Sequence, residues 1–354
     1  MSEPGNTRPL AALRRGDSPA FGGKSSTLGE LIAAEIPVAP GFALSTAAFR
    51  AFVREAGLDG KITAELSRVS PGDVDSVVAA SHAIGEAMGS APMPEAVRGE
   101  LAAAYEALAE EAGTPMPPVA VRSSALGEDG EDATFAGQLE SYLWIRGTEQ
   151  IANAVRDCWV SLFGAPAIAY RAHVGQEEPA MGVAVQQMVD AEVSGVLFTC
   201  NPVSGDPSMV AVNASWGLGL AVVGGEVTPD DFLVSKVTGE VVRERVHVKD
   251  VEYVPDGAGR GAVRVEVPEE RRAVACLDGA ALEALVEVGR KVEGAFGSHQ
   301  DVEWAIGRGR GLEDGLVVLQ ARPVTGLPGR PPPAEPATAL GLVMSTFGAG
   351  DRKA

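Results

Sequence analysis

Two short runs near residue 300 hold the densest set of side chains able to do chemistry. In DVEWA, Asp301 and Glu303 stand two apart. Side chains alternate faces along a strand, so both carboxylates share one face and Val302 and Trp304 take the other. In LVVLQAR, Gln320 and Arg322 stand in the same relation. The glycine-bearing stretch 307–315 between the runs reads as a hairpin connection. If the two polar faces coincide, two carboxylates, an amide and a guanidinium converge. Oxygen ligands of this kind suit a hard cation such as Mg²⁺, which is commonly held by one or two carboxylates together with phosphates. An arginine beside them suits bidentate contact with phosphate. A solvated sheet face with a salt bridge fits the same spacing, and spacing alone does not separate the two.

Other stretches carry single features. In residues 120–143, Arg122 ends a short apolar strand, an acidic loop follows, and the run Phe135, Ala136, Gly137, Gln138 precedes a second strand. A glycine there lets backbone N–H groups approach a phosphate; a long surface hairpin is the plainer alternative. Lys24 lies in a glycine turn at a helix start, in a chain with six lysines. A helix N-terminus with a lysine beside it suits an anion, and an ordinary capped helix is the alternative. The P-loop pattern is excluded, because Ser18 occupies the position of its first glycine and no apolar strand precedes it. Gln186, Gln187, Met188 and Val189 end a strand in a place suited to contact a planar ring between two lobes, and a plain strand end is the alternative. His82 sits in an alanine-rich helix and reads as a surface or packing residue; His173, His247 and His299 are isolated. The cysteines, Cys158, Cys200 and Cys276, have no metal-type spacing.

Positioning these groups requires mixed architecture. Helical periodicity dominates residues 21–118, with Val77, Ile84, Met88, Leu101 and Leu108 on buried faces and Ser45 capping a helix from Thr46. The helix after Gly22 is expected to be capped by Ser25, Ser26 or Thr27. From Val119 onward strand signals come in series, interrupted by a helix over 149–172 with a kink near Gly164 and Pro166 and another over 279–296. Residues 1–20 read as a loose leader, and 327–354 as a proline-rich linker and tail. Acidic residues number 48 against 29 basic, a net charge of −19, which argues against nucleic-acid binding. No apolar run approaches membrane-spanning length. The few scattered cysteines fit a reducing compartment, and the expectation is a cytoplasmic protein.

The motifs also occur in a telling order: GGKSSTLGEL, VAPGFALST, VAVRSSALGED, ATFAGQLESYL, VAVQQMV, SGVLFTCNPVSGD, NASWGLG, TPDDF, QDVEWAI and VLQARPVT. The series resembles the N-terminal nucleotide-binding region of phosphoenolpyruvate synthase, shared by pyruvate phosphate dikinase and rifampin phosphotransferase, over residues 20–326. The resemblance implies an α+β, ATP-grasp fold of two lobes, with 21–118 the helix-rich part of the first lobe and 119–326 the remainder of both. It implies ATP and Mg²⁺ as cofactors. Lys24 and Arg122 would bind the ATP phosphates, Gly137 and Gln138 would cover them, and Gln187, Met188 and Val189 would line the adenine slot. Glu303 and Gln320 would hold Mg²⁺ with Asp301 nearby, and Arg322 would stabilise the transferring phosphoryl group. Lys24, Arg122 and Arg322 are thus the expected catalytic residues. Full-length members continue into a swivelling domain with a phosphate-carrying histidine and a substrate domain, neither of which is visible in this sequence. The resemblance therefore implies the ATP-handling subunit of a split enzyme, as in phenylphosphate synthase, serving a phosphohistidine on a separate swivel-domain partner and a substrate-domain subunit. A self-sufficient small-molecule kinase and a non-catalytic ATP-sensing module are the alternatives.

Overall fold

The structure, a computed structural model, describes residues 5–70, 72–125, 141–174, 179–257, 261–325 and 327. Among them the strands are β1 (Thr7–Pro9), β2 (Gly41–Leu44), β3 (Val119–Ala125), β4 (Ser141–Ile145), β5 (Met181–Gln187), β6 (Ala191–Phe198), β7 (Met209–Trp216), β8 (Asp230–Ser235), β9 (Val241–Arg245), β10 (Val251–Pro255), β11 (Ala262–Glu266), β12 (Gln300–Gly307) and β13 (Leu316–Pro323). They form a first sheet ordered β1-β2-β5-β3-β4, a second ordered β13-β12-β6-β7-β8-β9, and the separate hairpin β10-β11. Neighbouring strands in both large sheets run antiparallel. Each sheet can therefore bury one face and leave the other for polar work.

Helices cover one face of each sheet. Thr46–Glu55, Val74–Ser90, Glu95–Ala112 and Thr148–Ser161 build the core of the first sheet around fully buried Phe52 and Trp159, whose rings stack at 5.2 Å. Ser45 caps the first of these helices by accepting from the Ala48 N–H, as expected. The helix Gly279–Phe296 covers the second sheet, placing Leu285 and Val292 against Val302, Trp304 and Val212. The helix expected over 149–172 is broken, ending at Ser161 and resuming at Ala165. The strand β10 carries no strong alternation and was not expected. No helix among the described residues is long and apolar enough to cross a membrane.

The amino-terminal residues depart from expectation. From Thr7 the chain is no loose leader: β1 pairs with β2, and Leu10 and Leu13 are fully buried. Those two side chains join Phe21, Leu28 and Leu31 in the core of the second sheet, so this short segment ties the sheets together. The run is too short for periodicity to betray it. The tail expected from 327 lies, apart from Leu327, outside the described residues.

The helix Gly23–Ala33 also starts differently from expectation. No side chain of its own caps it; Ser25 and Ser26 lie buried inside it, and the Ser25 N–H donates to Ser124 Oγ on β3 at 3.1 Å. Gly22 makes this approach possible. Its φ of +81° and ψ of 166° fall in a region almost confined to glycine, and a Cβ there would stand 1.9 Å from the Ser124 carbonyl oxygen. The glycine turn thus seats Lys24 two residues along from a point fixed to the strand that carries Arg122. Gly22→Ala is expected to lower stability by at least about 1–3 kcal/mol from backbone strain alone. Gly99→Ala, in a helix with open space around it, should instead raise stability by about 0.4–1 kcal/mol. Thermal or urea denaturation of the two variants checks both signs.

Candidate functional site

A cleft of about 670 Å³ lies where the exposed faces of the two sheets meet. Register explains its chemistry. Asp301 is paired with Arg322 and Glu303 with Gln320 across β12 and β13. Directly opposed residues share a face, so the two polar faces expected from alternation do coincide. All four residues line the cleft, while the side chains of Val302 and Trp304 pack into the apolar core of the second sheet. β12 also pairs with β6, setting Glu303 opposite Val196, which in turn faces Asn213 on β7.

From the first sheet, Arg122 reaches across. Its Nη1 donates to the Leu319 carbonyl at 3.1 Å, and its Nη2 stands 3.8 Å from Glu303 Oε2. Its Nε is buried without a hydrogen-bond partner among the described residues. Lys24 lines the same end of the cleft. Arg322 donates through Nε to Asp301 Oδ2 at 2.8 Å, and its Nη2 is 2.8 Å from the same oxygen. Burial pushes the Asp301 carboxyl above the usual aspartate range; Arg322 opposes this by charge and hydrogen bond, and Glu303 adds to the rise.

The other end of the cleft is apolar. Residues 188–190 carry the chain directly from β5 to β6, that is, from one sheet to the other. Met188 and Val189 pack there with Ala191, Leu218, Ala305 and Leu319, and Gln187 lines the cleft beside them. The Gln187 and Met188 N–H groups donate to the Pro40 and Pro118 carbonyls, each at 2.8 Å, which moors this segment to the first sheet. The cleft therefore offers an apolar slot at one end and a cluster of three cations and two carboxylates at the other.

Of the expected site residues, Lys24, Arg122, Gln187, Met188, Val189, Asp301, Glu303, Gln320 and Arg322 all line this cleft. Gly137 and Gln138 lie outside the described residues. Gln186, named with that strand end, lines the cleft too, whereas sequence reasoning missed Asn213, Leu218 and Leu319. Leu319 is instructive: strict alternation from Gln320 assigns it to the core, but a bulge opposite Glu303 and Trp304 turns it into the cleft. No glycine or proline marks that bulge. Asn213, in NASWGLG, could have been found by its alternation with buried Val212 and Ala214.

Metal ligation can be tested on the donor set. Among the described residues no group of three or more His, Cys, Asp and Glu side chains could hold an ion alone. Glu303 and Gln320 offer one carboxylate and one amide oxygen side by side, and Asp301 is already engaged by Arg322. That set fits Mg²⁺ shared with phosphate oxygens and does not fit an all-protein cage. No histidine among the described residues lines the cleft: His82 is exposed on its helix, His247 Nδ1 lies 2.8 Å from the Pro229 carbonyl, and His299 is paired with Glu293.

Residues 18–338 match the family described as pyruvate phosphate dikinase, AMP/ATP-binding domain. A probable phosphoenolpyruvate synthase of Methanocaldococcus jannaschii is 39% identical over 320 residues, covering 90% of this chain and 26% of that protein. One of Methanothermobacter thermautotrophicus is 38% identical over 317 residues, 89% of this chain and 45% of the other. The phosphoenolpyruvate synthase of Aeropyrum pernix is 37% identical over 333 residues, 87% and 41% respectively. The chain thus spans between a quarter and a half of the length of these curated relatives. With its match running from the helix that carries Lys24 past the hairpin that carries Arg322, the chain belongs to the pyruvate phosphate dikinase AMP/ATP-binding domain family.

Proposed function

We propose that the cleft binds ATP with Mg²⁺ in the manner of an ATP-grasp site, and that the chain is an ATP-dependent phosphotransferase of the phosphoenolpyruvate synthase kind. The observation that carries this reading is the pairing of Asp301 with Arg322 and Glu303 with Gln320 on one sheet face, with Arg122 arriving from the other sheet. The base would enter the apolar slot at Gln187, Met188 and Val189. The triphosphate would lie along Lys24, Arg122 and Arg322. Glu303 and Gln320 would hold Mg²⁺, which supplies charge neutralisation to the phosphate oxygens when bound.

Phosphoryl transfer asks a protein for positioning and charge stabilisation more than for covalent chemistry, and this cleft offers such groups. Arg322, held by Asp301 through one oxygen, is oriented toward the transferring group. The acceptor in this reading is a histidine carried on a swivelling domain of a partner protein, which passes the group to a small molecule. The absence of any histidine from the cleft lining among the described residues supports an acceptor that enters from elsewhere. The relatives' name, phosphoenolpyruvate synthase, supports transfer of this class.

Isothermal titration calorimetry should detect ATP uptake that collapses when EDTA removes Mg²⁺. No heat with ATP and Mg²⁺ together would end the reading. Arg322→Ala should lower kcat by about a hundredfold or more, with a smaller change in nucleotide affinity, because the group acts chiefly on the transferring phosphoryl. Arg122→Ala should weaken nucleotide binding itself by about tenfold or more, since its charge meets the phosphates before transfer. Labelled ATP should leave acid-labile phosphate on the partner's histidine, and a partner that stays unlabelled would refute transfer in trans.

A further inference from the structure

Behind the apolar slot lies a set of charges with no role in the reading above. Glu252, on β10, is 5% exposed, and its Oε2 has no hydrogen-bond partner among the described residues. Two guanidinium groups flank it: Arg308 Nη2 at 3.8 Å from Oε2 and Arg271 Nη1 at 4.0 Å from Oε1. A buried carboxylate is tolerated only with such partners, and each partner leads to a different wall of the slot.

Arg308, at the tip of the β12–β13 hairpin, leads to the segment that crosses between the sheets. Its N–H donates to the Asp190 carbonyl at 2.7 Å, its Nε to Asp190 Oδ1 at 3.5 Å and its Nη2 to the Ala191 carbonyl at 3.3 Å. Arg271 leads to the facing wall. It lies 4.1 Å from the Trp216 ring centroid, its carbonyl accepts from Trp216 Nε1 at 3.1 Å, and its Nη2 stands 4.0 Å from Glu192 Oε1. Trp216 leads straight into Gly217 and Leu218. The Gly217 N–H donates to the Glu192 carbonyl at 2.9 Å and the Leu218 N–H to the Tyr253 carbonyl at 2.8 Å. Gly217 has φ +71°, and a Cβ on it would stand 2.4 Å from the Tyr253 carbonyl oxygen and 3.2 Å from Glu252 Oε2. The Leu218 wall therefore rests against the same carboxylate that Arg308 approaches from the crossing segment.

We infer that Glu252 and Arg308 are positioning residues that set the width of the slot, and hence which planar base it accepts. This rests on the reading of the cleft as a nucleotide site. Through Arg308 the Glu252 carboxylate is linked to Asp190 and Ala191, next to Val189, and through Arg271 to Trp216, two residues before Leu218. Loss of either brace lets the two walls drift apart. The phosphate end, built on Lys24, Arg122 and the β12–β13 face, keeps its own anchors. A loosened slot costs affinity for the base that fits and costs less for a base that never fitted.

The test compares binding of ATP and GTP, each with Mg²⁺, to wild type, Arg308→Ala and Glu252→Gln by calorimetry. Arg308 is partly exposed, so its truncation keeps the experiment informative if the buried Glu252→Gln variant fails to fold. Arg308→Ala is expected to weaken ATP by about tenfold, the scale of one charge-assisted contact, and GTP by less than about threefold, narrowing discrimination between them. Melting temperature should stay close to wild type for Arg308→Ala. Equal loss for both nucleotides, or no loss for either, overturns the inference while leaving the nucleotide site intact. Wild type that binds neither nucleotide overturns the functional reading and this inference together.

Discussion

The arrangement depends on one guanidinium spanning a gap. Arg122 stands on β3 of the first sheet, yet its hydrogen bond goes to the carbonyl of Leu319 and its charge faces Glu303, both on the second sheet. That carbonyl belongs to the bulged residue, which has no partner of its own across the β12–β13 ladder. The bulge thus does two things at once. It turns an apolar side chain into the slot, and it sets a backbone acceptor beside the Glu303 carboxylate. Without the extra residue, Leu319 would point into the core, and Arg122 would meet the carboxylate with no second anchor.

The two cores make this concentration of charge tolerable. Strands with a period of two divide their side chains strictly: Val302 and Trp304 go to the core, Asp301 and Glu303 to the cleft. Burial of large side chains on one face, at roughly 1.5–3 kcal/mol each, holds the sheet in register. A slip of one residue would exchange the faces, sending carboxylates into the apolar layer under the helix Gly279–Phe296. The cleft chemistry is thus specified by the core on the opposite face, and the shared segment of Leu10, Leu13 and Phe21 keeps the two sheets in fixed relation.

Legibility in the sequence followed the reach of each physical rule. Alternation is local and exact in period, so the sharing of a face by Asp301 and Glu303, and by Gln320 and Arg322, could be read before any coordinates. The glycine turn before Lys24 was noticeable, but its reason, the close approach to Ser124 about a hundred residues away in sequence, was not. Capping was misplaced there for the same cause: the Ser25 N–H is satisfied by a side chain from another element. The amino-terminal strand was missed because three residues cannot display a pattern, and the bulge at Leu319 because nothing in its composition marks it. The charges around Glu252 are spread from Asp190 to Arg308, and only tertiary contact brings them together.

The electrostatics show why an acidic chain can still suit a polyanion. The chain carries a net −19, a field that repels phosphates at long range. At the cleft, Lys24, Arg122 and Arg322 stand against Asp301 and Glu303, which leaves a local excess of one positive charge. A triphosphate brings several negative charges, so these side chains alone would leave most of its charge uncompensated in a partly buried site. The deficit is what a divalent cation corrects, and Glu303 and Gln320 sit where such an ion could share their oxygens with the phosphates. Under the proposed function, a metal arriving with the nucleotide accounts for Glu303, a carboxylate that taken alone weakens anion binding, while Asp301 holds Arg322. Arginine, lysine, carboxylate and amide in this cleft therefore form one electrostatic unit rather than separate contacts.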